Sequence, residues 1–177
     1  VDVVGAEDAL REPGPDVRIL VRAASAAEDG DALGAVHVED LAQAVAGHKL
    51  FTVMTVDMEA GLARRAYTDH PLAYPASGTK PIHHDAWFDI VHGQRRSFVA
   101  NTLADIAKVF PDHELIGTLG CGAVINLPVV LKGDLVATIN MLHAEHHYRP
   151  GRVAPAEAQL SIPAKPCCAL AAQFDLN

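Results

Sequence analysis

The sequence lacks the long runs that would mark a membrane or nucleic-acid protein. No apolar run approaches the roughly 20 residues of a membrane-spanning helix. No block rich in Lys and Arg interrupts a chain of formal net charge -8, so neither a nucleic-acid nor an anionic-membrane partner is expected. Residues 1–5 have neither the basic nor the apolar region of a signal peptide, although the chain does not begin with Met. We therefore expect a cytoplasmic protein.

Cysteines, aromatic residues and familiar catalytic motifs are also scarce. Three cysteines, one isolated and two adjacent, do not form a disulfide framework. Aromatic residues make up 5% of the chain, with one Trp. No Gly-rich phosphate loop, Gly-x-Ser-x-Gly elbow or paired-carboxylate signature is present. What remains is a chain of 177 residues, half apolar and one-fifth charged, which is typical of one globular domain with a substantial core.

Apolar spacing predicts the main elements. Positions 38, 41, 42 and 45 follow the pattern of an amphipathic helix that ends at Gly47. Residues 50–57 and 62–68 read as paired strands, and residues 123–131 and 134–142 as a second pair joined by a turn at Lys132-Gly133. The order predicts an α+β fold in which helices lie mainly on one side of an antiparallel sheet.

Shorter elements are predicted between and after these strands. The crossover contains a loop over 71–81, a helix capped by Asp85, a strand over 97–100 and helical segments over 103–110 and 112–119. A final helix over 154–174 should be broken or kinked by its prolines. Residues 1–32 read as an N-terminal extension with a short helix over 17–27, and residues 33–177 as the domain.

The segment 110–143 is the most informative part of the chain. Its two long strands are apolar except for Asn126, Thr138 and Asn140. A buried amide must find a hydrogen-bonding partner. One interpretation is a polar floor that orients a ligand, and the other is cross-strand hydrogen bonding or a solvent-facing position. Both stay open from sequence.

The order and spacing of several motifs resemble the GAF domain family, in particular small stand-alone bacterial GAF-domain proteins. The resemblance covers about residues 33–173. It is carried by Gly47-His48-Lys49-Leu50-Phe51-Thr52, Tyr74-Pro75 with Gly78-Thr79-Lys80-Pro81, Trp87, Phe98-Val99-Ala100-Asn101, the segment 110–122, and the strands around Asn126 and Asn140.

This resemblance implies a five- or six-stranded antiparallel sheet with helices on both sides and a pocket roofed by loops. It also implies a homodimer. Members of the family bind cyclic nucleotides, bilins, haem, metabolites or anions, and a few reduce a free amino-acid sulfoxide, so the fold alone does not choose a function. The cyclic-nucleotide pattern Asn-Lys-x-n-Phe-x-x-x-Asp-Glu and a bilin motif of the Asp-Ile-Pro type are missing here.

Cys121, between Gly120 and Gly122, has two interpretations. It is a redox or nucleophilic thiol if a cation such as His113 or Lys80 lies close enough to favour the thiolate. Otherwise it is a small buried side chain. The sulfoxide-reducing relatives use several cysteines in loops over the pocket, and only Cys121 falls in that region here.

Histidines and arginines supply further candidates. His143, His146 and His147 suggest a metal, but no carboxylate or cysteine completes a ligand set at a standard spacing, so none is predicted. Arg64 and Arg65 should point to opposite faces of their strand, and one of them could hold a carboxylate in the pocket.

The sequence therefore predicts a small-molecule-binding GAF protein, acting as a ligand sensor or binding protein, with an unknown cofactor. The pocket is expected between the sheet and the loops 71–87 and 101–122. The predicted ligand-binding residues are Tyr67, Tyr74, Lys80, Trp87, Asn101, Cys121, Asn126, Asn140 and His143. The alternatives are a metabolite enzyme using Cys121 with His113, and a protein-interaction module with a vestigial pocket.

Overall fold

A computed structural model describes residues 38–75 and 79–174, with only the backbone of 170–174. Its centre is a six-stranded antiparallel sheet in the order β3-β2-β1-β6-β5-β4. The predicted N-terminal extension lies outside the described residues. The strands are β1 (Leu50–Asp57), β2 (Leu62–Thr68), β3 (Thr79–Pro81), β4 (Phe98–Ala100), β5 (Ala123–Leu131) and β6 (Asp134–His143).

Helices cover both faces of the sheet. They are α1 (Val38–Val45), α2 (Ala86–Phe88), which continues as a π-helical turn over Asp89–Gly93, α3 (Leu103–Ile106), α4 (His113–Thr118), α5 (Pro150–Leu160) and α6 (Ala164–Phe174). The three long helices α1, α5 and α6 lie on one face, and the short crossover helices fold over the second face, so both faces are covered as the family resemblance implies.

Side-chain alternation divides the apolar residues between the two faces. On one face Phe51, Val53 and Ile139 pack with residues of α1, α5 and α6 in the larger core cluster. On the other face Leu50 and Leu142 pack beneath α3 and α4 in a smaller one. The second face is only partly filled, and this leaves room for a cavity above the middle of the sheet.

Two β-bulges change which residues face that cavity. Between β1 and β2 the register passes from Val53–Tyr67 to Met54–Arg65, so Ala66 is the extra residue. Because a bulge reverses the alternation beyond it, Arg65 shares a face with Met54 whereas Tyr67 shares a face with Val53. The second bulge lies in β6 and inserts Val136 in the same way.

The shorter elements compare with their predictions as follows: two bounds differ and one break is confirmed. The loop predicted over 71–81 ends in the strand β3. This strand pairs with β2 through only three residues, and so short a run shows no alternation in the sequence. The break predicted in the final helix is confirmed, since Pro163 lies between α5 and α6. The final helical region begins at Pro150 and not at the predicted residue 154, since Pro150 occupies the first turn of α5, where its missing N–H is not needed.

Candidate ligand-binding cavity

A cavity of about 280 Å³ lies between the sheet and a cover formed by Tyr74 and the segments 80–88 and 109–116. This is within the region predicted from sequence. Apolar side chains form most of its walls, and polar ones cluster at its floor and its mouth. The sheet residues that line it are Thr52, Met54, Val56, Ala63, Arg65, Val124, Asn126, Leu135, Thr138, Asn140 and Leu142.

The floor is crossed by a chain of hydrogen bonds that we call the amide ladder, formed by Trp87, Asn126, Asn140 and Thr52. Trp87 Nε1 donates to Asn126 Oδ1 at 3.0 Å. Asn126 Nδ2 then donates to Asn140 Oδ1 at 2.7 Å, and Asn140 Nδ2 donates to Thr52 Oγ1 at 3.1 Å. Register explains the ladder, because Asn126 lies directly opposite Asn140 and Asn140 directly opposite Thr52.

Trp87 determines the direction of every bond in the ladder. An indole N–H can only donate, so the amide oxygen of Asn126 must face it. The amide nitrogen of Asn126 then faces Asn140, which must present its oxygen, and the nitrogen of Asn140 in turn faces the Thr52 hydroxyl. The hydrogen-bond network thus determines the orientation of both amide groups.

The mouth of the cavity is polar and joins three parts of the chain. Tyr74 donates its hydroxyl hydrogen to Asp112 Oδ2, and Lys80 Nζ lies 3.6 Å from the same oxygen. The guanidinium carbon of Arg65 lies 3.7 Å from the centre of the Tyr74 ring. Burial, followed by the hydrogen bond to Asp112, raises the pKa of Tyr74, so its hydroxyl stays neutral.

The side wall is α2 with its π-helical continuation. Asp85 starts this helix by accepting the Phe88 N–H at 2.9 Å, as predicted for an N-cap. Phe88 is buried between the rings of His84 and His92, at centroid distances of 4.2 and 4.5 Å. The cap and the stacked rings hold Trp87 over the floor.

The structure brings five of the sequence-predicted residues to the cavity, together with others that were not in the predicted set. Those that line it are Tyr74, Lys80, Trp87, Asn126 and Asn140. Among the others, Thr52, Arg65 and Asp112 make the polar contacts described above. Strand alternation predicted that either Arg64 or Arg65 would face the pocket, and Asp112 lies within the informative segment 110–143. No sequence signal connected Thr52 with Asn140.

Tyr67 lies on the opposite face of the sheet, in the larger core cluster. Simple alternation would place it beside Arg65, two residues earlier. The extra residue Ala66 reverses that alternation. The Tyr67 hydroxyl donates to Glu39 Oε2 of α1, and this hydrogen bond links α1 to the sheet.

Asn101 and His143 lie near the end of β6, outside the cavity lining. Asn101 accepts the Tyr148 N–H at 3.0 Å and donates to the Tyr148 carbonyl at 2.9 Å, which holds the loop before α5. His143 stacks on His147 at 3.6 Å and accepts the Ala144 N–H on Nδ1. Both residues therefore have structural partners within that loop.

Cys121 is also outside the lining, in the smaller core cluster with 4% of its surface exposed. Its thiol points to the Leu119 carbonyl at 3.8 Å. Burial raises the pKa of the Cys121 thiol, and nearby Lys49 only partly opposes this. His113 contacts the Phe110 carbonyl at 3.1 Å. No hydrogen bond joins Cys121 to His113 in the described part of the chain.

Two searches of the described residues were negative. Within 38–75 and 79–174, no group of three or more His, Cys, Asp or Glu side chains is placed to hold a metal ion. No helix in these same ranges is long and apolar enough to cross a membrane.

Comparison with known proteins identifies the fold. No family model and no curated protein matches the chain. The GAF domain/HD domain protein from Geobacter sulfurreducens matches at a TM-score of 0.58 and 10% identity, over 91% of this chain and 95% of the other. A phycoerythrobilin-bound GAF domain from a cyanobacterial phytochrome matches at 0.53 and 11%, over 91% and 98%. Free methionine-R-sulfoxide reductase from Neisseria meningitidis, in complex with its substrate, matches at 0.51 and 16%, over 97% and 95%.

The chain therefore has the fold of a GAF domain, an α+β architecture in which helices flank a six-stranded antiparallel sheet. The resemblance drawn from the sequence is confirmed at the level of the fold. Identities this low are informative about the fold alone, and the function has to be argued from the cavity.

Proposed function

We propose that this GAF domain protein binds a small organic molecule in the cavity over the amide ladder and acts as a ligand sensor or binding protein. The observation that carries the proposal is the open volume of about 280 Å³ above hydrogen-bonded polar side chains. Ligand pockets usually range from about 300 to 1,000 Å³, so the cavity suits a small ligand.

The lining has the composition of a binding site for such a molecule. Apolar walls formed by residues such as Met54, Val56 and Leu135 surround a few convergent polar groups, and this combination supplies both affinity and orientation. Two structures with the same fold hold small molecules by their own descriptions, a phycoerythrobilin in one and the substrate of a sulfoxide reductase in the other.

Occlusion of the cavity tests the proposal. Ala63 lies on β2 and lines the cavity, so Ala63→Trp should fill part of it. Ala44→Trp, on an exposed position of α1, introduces the same side chain away from the cavity. A bound ligand at 100 times its Kd stabilises a protein by about 2.7 kcal/mol. Thermal unfolding across a metabolite panel should therefore show stabilisation in the parent and in Ala44→Trp, and none in Ala63→Trp.

If no molecule stabilises the parent protein, binding loses its support and the interaction-module alternative gains it. The enzyme alternative has less support from the geometry than binding does. Cys121 is buried, lies outside the cavity lining and has a raised thiol pKa, whereas a nucleophilic cysteine needs exposure and thiolate character.

The wider setting of the proposal follows the sequence-based expectations. We propose a cytoplasmic bacterial homodimer whose partner is the small ligand, with no nucleic acid and no membrane. The negative formal charge of -8 supports the last two parts, since phosphate-rich partners favour basic surfaces.

A further inference from the structure

Arg65 has hydrogen-bonding capacity that the protein does not use. Its Nη1 donates to the Pro75 carbonyl at 2.7 Å, and its guanidinium lies over the Tyr74 ring. Its Nε is buried and has no hydrogen-bond partner among the residues that the structure describes. Within the same residues, no carboxylate lies within 4.0 Å of the guanidinium. A buried donor in this state needs an acceptor from elsewhere.

The other cation at the mouth is differently placed. Lys80 Nζ lies 3.6 Å from Asp112, and Asp112 also accepts the Tyr74 hydroxyl. Asp112 is thus the ion-pair partner of Lys80, and the guanidinium of Arg65 keeps no carboxylate of its own. Asp85, the second carboxylate of the lining, is engaged at the start of α2 with the Phe88 N–H.

The floor keeps donors that the ladder does not use as well. The direction that Trp87 imposes on the amide ladder makes both amide oxygens accept a bond from the neighbouring member. Each amide nitrogen carries two hydrogens and donates one of them along the ladder, and the Thr52 hydroxyl receives the last bond with its own hydrogen still to donate. These hydrogens can bond a ligand oxygen, and the second lone pair of each amide oxygen can accept a hydroxyl of the same ligand.

We propose that the cavity selects a small organic acid, with its carboxylate on the Arg65 guanidinium and an acceptor oxygen over the amide ladder. This inference rests on the proposed function. An apolar body would span the intervening wall formed by Met54, Val56 and Leu135. The planar guanidinium matches a carboxylate through paired N–H donors, and this geometry favours carboxylate over a neutral amide of the same shape.

The test begins with capture of the ligand from a mixture. The full chain is incubated with a low-molecular-mass extract of bacterial cells, separated by gel filtration and denatured, and the retained molecules are identified by mass spectrometry. Ala63→Trp reports which molecules occupy the cavity. The retained acid and its primary amide are then titrated by calorimetry into the parent, Arg65→Gln, Arg65→Lys and Arg96→Gln. Arg96 is exposed and its side chain contacts Gln94, so Arg96→Gln removes the same charge outside the cavity.

We expect a retained molecule that carries a carboxylate and is lost from Ala63→Trp. Arg65→Gln should weaken the acid at least about tenfold, because a hydrogen bond to a charged group is worth about one to two factors of ten in affinity. The amide should bind the parent more weakly than the acid, Arg65→Lys should retain part of the acid affinity, and Arg96→Gln should bind like the parent.

Three results would overturn the inference, and they separate it from the proposed function. A retained molecule without a carboxylate, a phosphate ester included, leaves cavity binding intact and removes the organic acid. The same conclusion follows if the acid binds Arg65→Gln, confirmed as folded by circular dichroism, as tightly as the parent. If the parent retains no molecule that Ala63→Trp loses, both proposals fail together.

Discussion

Asn140 is the central member of the amide ladder, and its environment explains why an amide belongs in an apolar strand. It accepts from Asn126 and donates to Thr52, and all three side chains are buried. The sequence left two readings open for Asn126 and Asn140, a ligand-orienting floor or cross-strand pairing. The structure shows the pairing directly, and its position under the cavity makes the two readings compatible.

Removal of Asn140 should therefore cost stability. Asn140→Leu keeps the approximate size of the side chain but leaves the Asn126 N–H and the Thr52 hydroxyl without their partner. Each unsatisfied buried group costs about 1–3 kcal/mol, so the free energy of unfolding in urea should fall by at least about that amount. Asn126→Leu/Asn140→Leu should lose less than the sum of the two single changes. Strict additivity would show that the two amides are not coupled.

His143 makes stability depend on pH. Its Nδ1 accepts the Ala144 N–H, so protonation there breaks a hydrogen bond. Burial first, and then the nearby charges of His147, Lys49, Arg152 and His48, lower the pKa of His143 below its usual value of 6.5. The unfolded chain then binds this proton more tightly than the folded one, and stability falls as pH drops below about 6.5.

We expect His143→Gln to reduce that pH dependence. Urea unfolding at about pH 7.5 and pH 5.5 should show a smaller loss for the variant than for the parent. His146→Gln replaces an exposed histidine of the same loop and serves as the control. An equal loss in the parent and His143→Gln would assign the effect to other groups, among them His92, whose pKa is also lowered by burial and by Arg95 and His84.

At the scale of elements, the sequence predicted the long strands well, because their alternation or apolar runs extend over seven or more residues. The turn at Lys132-Gly133 was also predicted, and both residues have the positive φ of a tight hairpin turn, 52° and 96°. What the sequence could not show were the bulges at Ala66 and Val136. Each adds one residue to a strand without altering its apolar pattern, and each decides which side chains reach the cavity.

The entry to β5 depends on a glycine. A Cβ at Gly122 would lie 2.3 Å from Cγ of Glu145, and Glu145 Oε1 accepts the Leu103 N–H at the start of α3. Gly122→Ala should displace Glu145, release that N–H and destabilise the fold by about 1–3 kcal/mol.

Gly151→Ala provides the matched comparison. Gly151 lies in the first turn of α5, and its Cβ would meet no atom within 4 Å. Alanine there should be neutral or stabilise by up to about 1 kcal/mol. Thermal unfolding of both variants measures the contrast, and similar melting temperatures would show that Glu145 moves aside without cost.

For the whole molecule, the order of elements predicted the class of fold, and the family resemblance with the polar positions on the strands indicated where a cavity would lie. It could not assemble the full lining, since the side on which Arg65 lies depends on a bulge and Asp112 reaches the mouth from the segment before α4. The homodimer stays a prediction from the family resemblance. Light scattering coupled to gel filtration should give twice the chain mass of 18.8 kDa, and the mass of a single chain would contradict it.

The position of Trp87 allows the intrinsic fluorescence of the protein to report on the cavity. It is the single tryptophan of the chain, and its indole N–H is bonded to the floor of the cavity. Any fluorescence excited at the red edge of the protein's absorption therefore originates at one known place. A shift in emission wavelength or intensity on addition of a compound would report a change in the polarity or quenching around that indole, and no attached dye would be needed.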